Sequence, residues 1–198
     1  MRMVSIMTSK PLLIIVNGLP GTGKTTLARR LAADLRLPTF SRDGLFEALY
    51  DALESSTVGP PSALGAAAYA LLYEVAGAVL ASGQPVIVEG LFGRPDVRRA
   101  EFLRLRERHD FEPLEILCKA DGSALMQRFL ARMASGERHR GHLDREWLEH
   151  NEARLLGGQL APLAIGHQVI EINTTTTHSF AYAEVLRQVQ AVLRMMPA

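Results

Sequence analysis

Short apolar runs alternate along the chain with longer segments whose apolar residues recur every three or four positions. Leu12-Leu13-Ile14-Ile15-Val16 is β-branched and unbroken by polar residues, the pattern of a strand buried on both faces. Pro85-Val86-Ile87-Val88-Glu89, Leu114-Glu115-Ile116-Leu117-Cys118 and the stretch from Gln168 to Ile172 predict three more strands, and Leu37-Pro38-Thr39-Phe40-Ser41 a shorter one. Between them, Leu27, Leu31 and Leu35 stand at helical spacing, predicting a helix to about residue 36. Further helices are expected from Asp43 to about Leu53, from Ala63 to Ala81, from Pro95 to about His109, from Ser123 to Ala134, from Asp144 to about Leu156 and from Phe180 to Met195. Ser55 to Pro61 is turn-rich and predicts a connector. Strands alternating with helices imply one parallel five-stranded sheet covered on both faces, a three-layer α/β/α fold. No repeat or linker divides the 198 residues, so residues 1–198 are expected to form a single domain.

Composition narrows the picture only a little. A formal net charge of +1 gives no reason to expect nucleic acid or a membrane as a stable partner. Ala63 to Ala81 carries only Glu74 as a charge, yet it is alanine-rich and falls inside the strand–helix alternation, so a helix packed on the sheet is expected rather than a span. Cys118 is the sole cysteine, which excludes an intrachain disulfide and a cysteine zinc site and fits a reducing cytoplasm. Met1 to Lys10 lacks the apolar core of a signal peptide and is expected to be a flexible tail, with Met3 or Met7 as alternative starts. A monomer or homodimer is expected.

The richest chemistry lies between the first strand and the first helix. Gly18-Leu19-Pro20-Gly21-Thr22-Gly23-Lys24-Thr25-Thr26 matches the Walker pattern of a glycine, four free positions and Gly-Lys-Thr. The glycines let successive backbone N–H groups point inward, and the helix N-terminus adds partial positive charge, so Gly18, Gly21, Thr22, Gly23, Thr25 and Thr26 are expected to cradle the phosphates of ATP. Lys24 is expected to reach the β- and γ-phosphates, and the Thr25 hydroxyl to hold Mg²⁺. Lys24 is one of only three lysines, with Lys10 and Lys119. In such folds chemistry collects at the carboxyl ends of the strands, which brings Asp43 and Glu89 beside the same phosphates. Asp43 has two readings from position alone, helix cap or proton acceptor. Glu89 could hold a metal-bound water or a substrate hydroxyl, or equally be a solvated carboxylate at a strand end. Arg42 and Arg94 are candidates for binding the acceptor. Arg94, Arg98 and Arg99 serve equally as an exposed face pairing with Glu101 and Glu107.

Residues 128–145 hold Arg128, Arg132, Arg138, Arg140 and Arg145 against Glu137 and Asp144, five cations against two anions. Arg128 and Arg132 are four apart on one helix and share a face. Ser135-Gly136 then breaks the helix and leaves Glu137-Arg138-His139-Arg140-Gly141-His142 as a mobile connection. That is the pattern of a helical lid bringing Arg128, Arg132 and Arg138 to the nucleotide and excluding water. His139 and His142 have no carboxylate framework in the local sequence that would suggest a metal site.

The Walker loop, the strand ending in Arg42-Asp43 and the Arg-x-x-x-Arg helix followed by Arg-His-x-Gly-His resemble the P-loop kinases that group polynucleotide 5′-hydroxyl kinase with zeta-toxin and chloramphenicol phosphotransferase. The resemblance implies a P-loop NTPase fold, transfer of the γ-phosphoryl group of ATP to a hydroxyl, and Asp43 as the base. One position departs from it: where polynucleotide kinases carry an arginine three residues beyond the aspartate, this chain has Phe46. With Leu45, Leu49 and Tyr50, Phe46 points to a small acceptor with an apolar portion, such as an antibiotic, nucleoside or nucleotide-sugar. A polynucleotide 5′-hydroxyl kinase is the nearest alternative. A GTPase or ATPase switch is another, prompted by Cys118-Lys119-Ala120-Asp121, which imitates a guanine-reading Asn-Lys-x-Asp without its asparagine.

Overall fold

Five parallel strands in the order β2-β3-β1-β4-β5 form one sheet in the computed structural model, which describes residues 10–53, 63–166, 168–176 and 180–195. The expected tail (Lys10 aside) and the connector at 55–61 lie outside these residues. In chain order the elements are β1 (Leu12–Gly18), α1 (Lys24–Leu35), β2 (Thr39–Ser41), α2 (Arg42–Ala52), α3 (Leu64–Ala81), β3 (Val86–Gly90), α4 (Pro95–Arg108), β4 (Glu112–Lys119), α5 (Gly122–Ser135), α6 (Asp144–Gly157), β5 (Gln168–Asn173) and α7 (Tyr182–Met195). The strand–helix alternation predicted from hydrophobic patterning is present throughout, and the fold is the three-layer α/β arrangement of P-loop NTPases.

The sequence pattern explains the strand order. β1 is buried at all seven positions and lies at the centre, paired with β3 on one side and β4 on the other. β5, whose burial alternates between exposed and buried positions, forms one edge, and the three-residue β2 forms the other. Side chains alternate across the sheet. Leu12, Ile14 and Val16 face α1 and α7 in a cluster with Leu27, Leu31, Val185 and Val189. Leu13 and Ile15 face the opposite layer, with Leu72, Phe92, Phe102 and Leu105. α3 is long and apolar enough to cross a membrane by length and composition. Here Leu72, Tyr73, Ala76 and Leu80 of that helix join the second core cluster, as expected of a helix packed on the sheet.

Two smaller clusters matter for function because they stand above the carboxyl ends of the strands. α5 and α6 share one built on Leu125, Phe129 and Leu155, with Trp147 stacked on Phe129 at 5.3 Å between ring centroids. Their close approach needs Gly122, where a Cβ would fall 1.8 Å from the Leu156 carbonyl oxygen. α2 and α3 share the other, built on Phe46, Tyr50, Leu64 and Ala68.

Candidate active site

Glycines between β1 and α1 shape the phosphate loop. Gly21 (φ +87°) and Gly23 (φ +75°) carry the chain through left-handed conformations that favour glycine. Gly18 is required by space instead, since a Cβ there would lie 2.6 Å from the Thr22 hydroxyl and 2.8 Å from the Cys118 carbonyl oxygen. Thr22 closes the turn, its hydroxyl donating to the Leu19 carbonyl at 2.8 Å. Backbone N–H groups at the start of α1 have no intrahelical partner, so the loop presents donors and a positive helix end to an anion. Lys24, Thr25 and Thr26 form its first turn.

Lys24 and Glu89 meet below this loop. The ammonium lies 3.8 Å from the carboxylate, with both side chains nearly buried. Ser41 donates its hydroxyl to Glu89 at 2.8 Å, so Glu89 is a partnered buried acid rather than a solvated strand end. Thr25, Ser41 and Glu89 offer hard oxygens only, which suits Mg²⁺, an ion that takes few protein ligands and fills its shell with phosphate oxygens and water. Among the described residues, no group of three or more His, Cys, Asp or Glu side chains makes a metal cage. Burial pushes the Cys118 thiol up to about 12, with Lys24 opposing and Glu89 adding to the shift, which keeps the thiol protonated and unreactive.

Asp43 stands in the first turn of α2, but the cap of that helix is Ser41, whose hydroxyl accepts from the Gly44 N–H at 3.4 Å. Its carboxylate lies 3.1 Å from Arg42 and 3.3 Å from Arg138. Burial pushes the Asp43 carboxyl up, while Lys24, His142, Arg138 and Arg42 together outweigh it and bring it down to about 2. The group is therefore a carboxylate at any neutral pH. Lys24, Arg42, Asp43, Phe46, Arg132 and Arg138 all line one cavity of about 570 Å³, whose apolar walls are Tyr69, Leu91, Phe129 and Trp147. A second cavity of about 460 Å³ opens on the other side of the same loop, lined by Gly21, Thr22, Gly23, Thr26, Arg30, Arg128, Ile172, Thr174, Phe180 and Tyr182.

The basic stretch divides between these cavities. Arg128 is on the second, where it donates to the Gly21 carbonyl at 3.1 Å and to the Thr174 and Thr175 carbonyls at 2.8 Å each. It thus ties the phosphate loop to the segment after β5. Arg132 is on the first, 3.5 Å from Asp144; burial and then Arg138 lower its affinity for the proton, with Asp144 and Asp43 opposing. Arg138 reaches Asp43, lies 3.3 Å from Asp144 and 3.9 Å from Glu47. Arg128 and Arg132, on one helix face, thus reach the two sides of the phosphate loop.

The α5–α6 connection, expected to be mobile, is docked on α2. His142 contacts Glu47 at 2.8 Å and packs its ring 5.0 Å from that of Phe46. His139 lies 3.3 Å from Asp51. Both histidines therefore have carboxylate partners, which sequence inspection missed because they come from a helix about ninety positions away. Burial and then Arg138 lower the His142 pKa, so the neutral ring donates to Glu47 at pH 7. Gly141 makes the docking possible, since a Cβ there would meet the Tyr50 ring at 2.8 Å. Gly141→Val is accordingly expected to lift the connection and speed tryptic cleavage at Arg138 and Arg140 by about tenfold or more, as limited proteolysis would measure.

Several sequence candidates line neither cavity: Gly18 and Thr25 belong to the loop between them, and Glu89 is buried beside Lys24. Arg94, proposed for acceptor binding, is exposed at the N-terminus of α4 and lines neither cavity. Lys119 of the guanine-like motif pairs with Glu171 at 2.7 Å on the sheet edge and also lines neither. Tyr69 and Trp147, conversely, had no local motif to announce them.

A family profile described as an AAA domain matches residues 13–155, most of the chain and every element from β1 through α6. The chain belongs to this AAA-domain family. Among solved structures, a "putative kinase" from Chloroflexus aurantiacus J-10-fl is 36% identical to this AAA domain, with a TM-score of 0.82 over 92% of this chain and 98% of that one. The Mycobacterium tuberculosis APS kinase in complex with AMPPNP and APS (16% identity, TM-score 0.60, 94% and 98% covered) shares the fold. So does a gluconokinase from Sinorhizobium meliloti 1021 (17% identity, TM-score 0.54, 94% of each chain). No curated protein matches. The AAA domain thus has a P-loop kinase-like fold, and its neighbours support nucleotide-dependent phosphotransfer.

Proposed function

We propose that this chain is an ATP- and Mg²⁺-dependent kinase that transfers the γ-phosphoryl group to a hydroxyl of a small molecule. One observation carries the reading: two cavities flank a single phosphate loop, one holding Lys24 and Asp43 together and the other bounded by the loop glycines and the segment after β5. A kinase needs a donor chamber and an acceptor chamber meeting at the transferring phosphorus. An ATPase switch needs only the first.

In this reading the triphosphate lies on the Gly18–Lys24 loop with its nucleoside in the smaller cavity, and the acceptor occupies the larger one. The acceptor oxygen bonds to the γ-phosphorus as the β–γ bridging bond breaks, and ADP leaves. The acceptor hydroxyl donates to the Asp43 carboxylate, which takes the proton late, after the oxygen has lost basicity to the forming bond. A carboxylate held near pKa 2 is a weak base toward a free alcohol, so orientation is the larger part of its contribution. Lys24, Arg132 and Arg138 neutralise charge on the transferring group, and the docked connection keeps water out. Mg²⁺, held by Thr25 and Glu89, would neutralise β- and γ-phosphate charge.

The walls favour a small acceptor with a flat or apolar portion: Phe46 occupies the position where an arginine would hold an acceptor phosphate, and Tyr69, Phe129 and Trp147 complete an aromatic surround. Labelled-phosphate transfer across amphenicols, nucleosides, nucleotide-sugars, gluconate and polynucleotide 5′ ends is expected to label a small hydroxyl compound. Transfer confined to polynucleotide ends would overturn the small-molecule assignment.

A further inference from the structure

A buried polar chain crosses the sheet where hydrophobic residues are expected. Glu115 and Asn17, 2% and 0% exposed, project from neighbouring strands on the side facing α3 and α4. Glu115 accepts from the Leu163 N–H at 2.8 Å and from the Asn17 amide at 3.0 Å, while Asn17 accepts from the Phe92 N–H at 3.0 Å. Leu163, ahead of β5, is thereby linked to the loop after β3. The link continues outward, because the Tyr69 hydroxyl donates to the carbonyl of Leu91, the residue before Phe92, and both Tyr69 and Leu91 line the larger cavity.

We propose that Asn17 and Glu115 are a positioning pair that sets the Leu91–Gly93 loop, and through Leu91 and Tyr69 the acceptor-side wall. The assignment to acceptor rather than nucleotide rests on the reading of the two cavities above; the hydrogen-bond logic does not. Both ends of the chain are backbone N–H donors, so each end needs an acceptor, and the junction between the side chains needs one donor and one acceptor. One carboxylate with one amide meets all four requirements without taking up a proton. Two amides leave a donor facing a donor, and two carboxylates set charge against charge in a dry site unless they take up a proton to share. The rule is indifferent to which position carries which group.

That indifference supplies the test. Glu115→Gln and Asn17→Asp are nearly isosteric, so each disturbs polarity and little else. Backbone amide exchange at Leu91–Gly93 is expected to accelerate about tenfold to a hundredfold in Glu115→Gln, as for loss of a buried hydrogen bond, and in Asn17→Asp only as rising pH removes the proton the two carboxyls share. In the double variant, where the amide at 115 donates to the carboxylate at 17, exchange is expected to return to near wild type. With the best acceptor from the transfer panel, Glu115→Gln is expected to raise the acceptor KM by a similar factor while the Kd for Mg·AMPPNP stays within about twofold.

Exchange that rises across the whole sheet, or a double variant no better than Glu115→Gln, would overturn the pair's role. If the singles do not fold, a folded double variant with wild-type exchange at Leu91–Gly93 sustains the pairing, and an unfolded double overturns it. Unchanged acceptor KM with rescued exchange would leave the pair as a loop anchor and overturn its acceptor-side role. A panel without any acceptor would overturn the kinase reading and leave the exchange result standing.

Discussion

Asp43→Asn is expected to slow phosphoryl transfer by about a hundredfold to ten-thousandfold, the usual range for losing a positioned proton acceptor, while the Kd for MgATP stays near wild type. The side chain keeps its shape, so the Phe46 wall and the Arg42 stack between the Phe46 and Tyr69 rings should persist. What changes is the charge between Arg42 and Arg138, and with it the ability to receive a proton. Single-turnover transfer and equilibrium nucleotide binding on the same preparation separate the two effects. A rate near wild type would reduce Asp43 to an ion-pair partner of the docked connection. The pH behaviour follows from the same cations. Because the folded pKa is lowered from 3.8 to about 2, the stabilisation from ionised Asp43 is present above pH 3.8 and is lost as pH falls toward 2. An acidic limb in the rate between pH 5 and 8 would therefore belong to another group.

Lys24→Met is expected to abolish measurable transfer, a loss of about a thousandfold or more from removing charge stabilisation at the transferring group, and to weaken MgATP binding as well. It also has a cost in stability. Glu89 is buried and would keep the Ser41 hydroxyl but lose the Lys24 ammonium. Because the pair is 3.8 Å apart and Ser41 remains, a destabilisation of about 1–3 kcal/mol is expected, below the usual figure for breaking a tight buried pair. Adding Glu89→Gln should recover most of that stability in denaturant unfolding and none of the activity. Stability unchanged in Lys24→Met alone would mean that the two groups do not form an effective pair.

How far the sequence could be read depends on how local each feature is. The phosphate loop is legible because its geometry is written within nine consecutive residues: Gly21 and Gly23 take conformations other residues avoid, and Gly18 has no room for a side chain. Asp43 and Glu89 are legible through one topological rule, that chemistry gathers at the strand ends. The basic stretch is legible as cationic, but its docking is not, because Glu47, Tyr50 and Asp51 come from α2 and show their relevance only in three dimensions. The same distance hid the division of labour between Arg128 and Arg132. Arg94 was singled out by adjacency to the Gly90–Gly93 loop, and only the fold shows it exposed at the start of α4, outside both cavities. Glu115 was visible all along as a charge inside an apolar strand, and a buried carboxylate demands partners; what the strand pattern lacks is who they are.

The fate of the γ-phosphoryl group separates a kinase from a hydrolase in one measurement. With ATP labelled at its γ-phosphorus, Mg²⁺ and the acceptor panel, the label should appear on a small hydroxyl compound in step with ADP, and Asp43→Asn should suppress that transfer. Label released only as inorganic phosphate, at a rate indifferent to every acceptor and to Asp43→Asn, would contradict the assignment of this chain as a kinase.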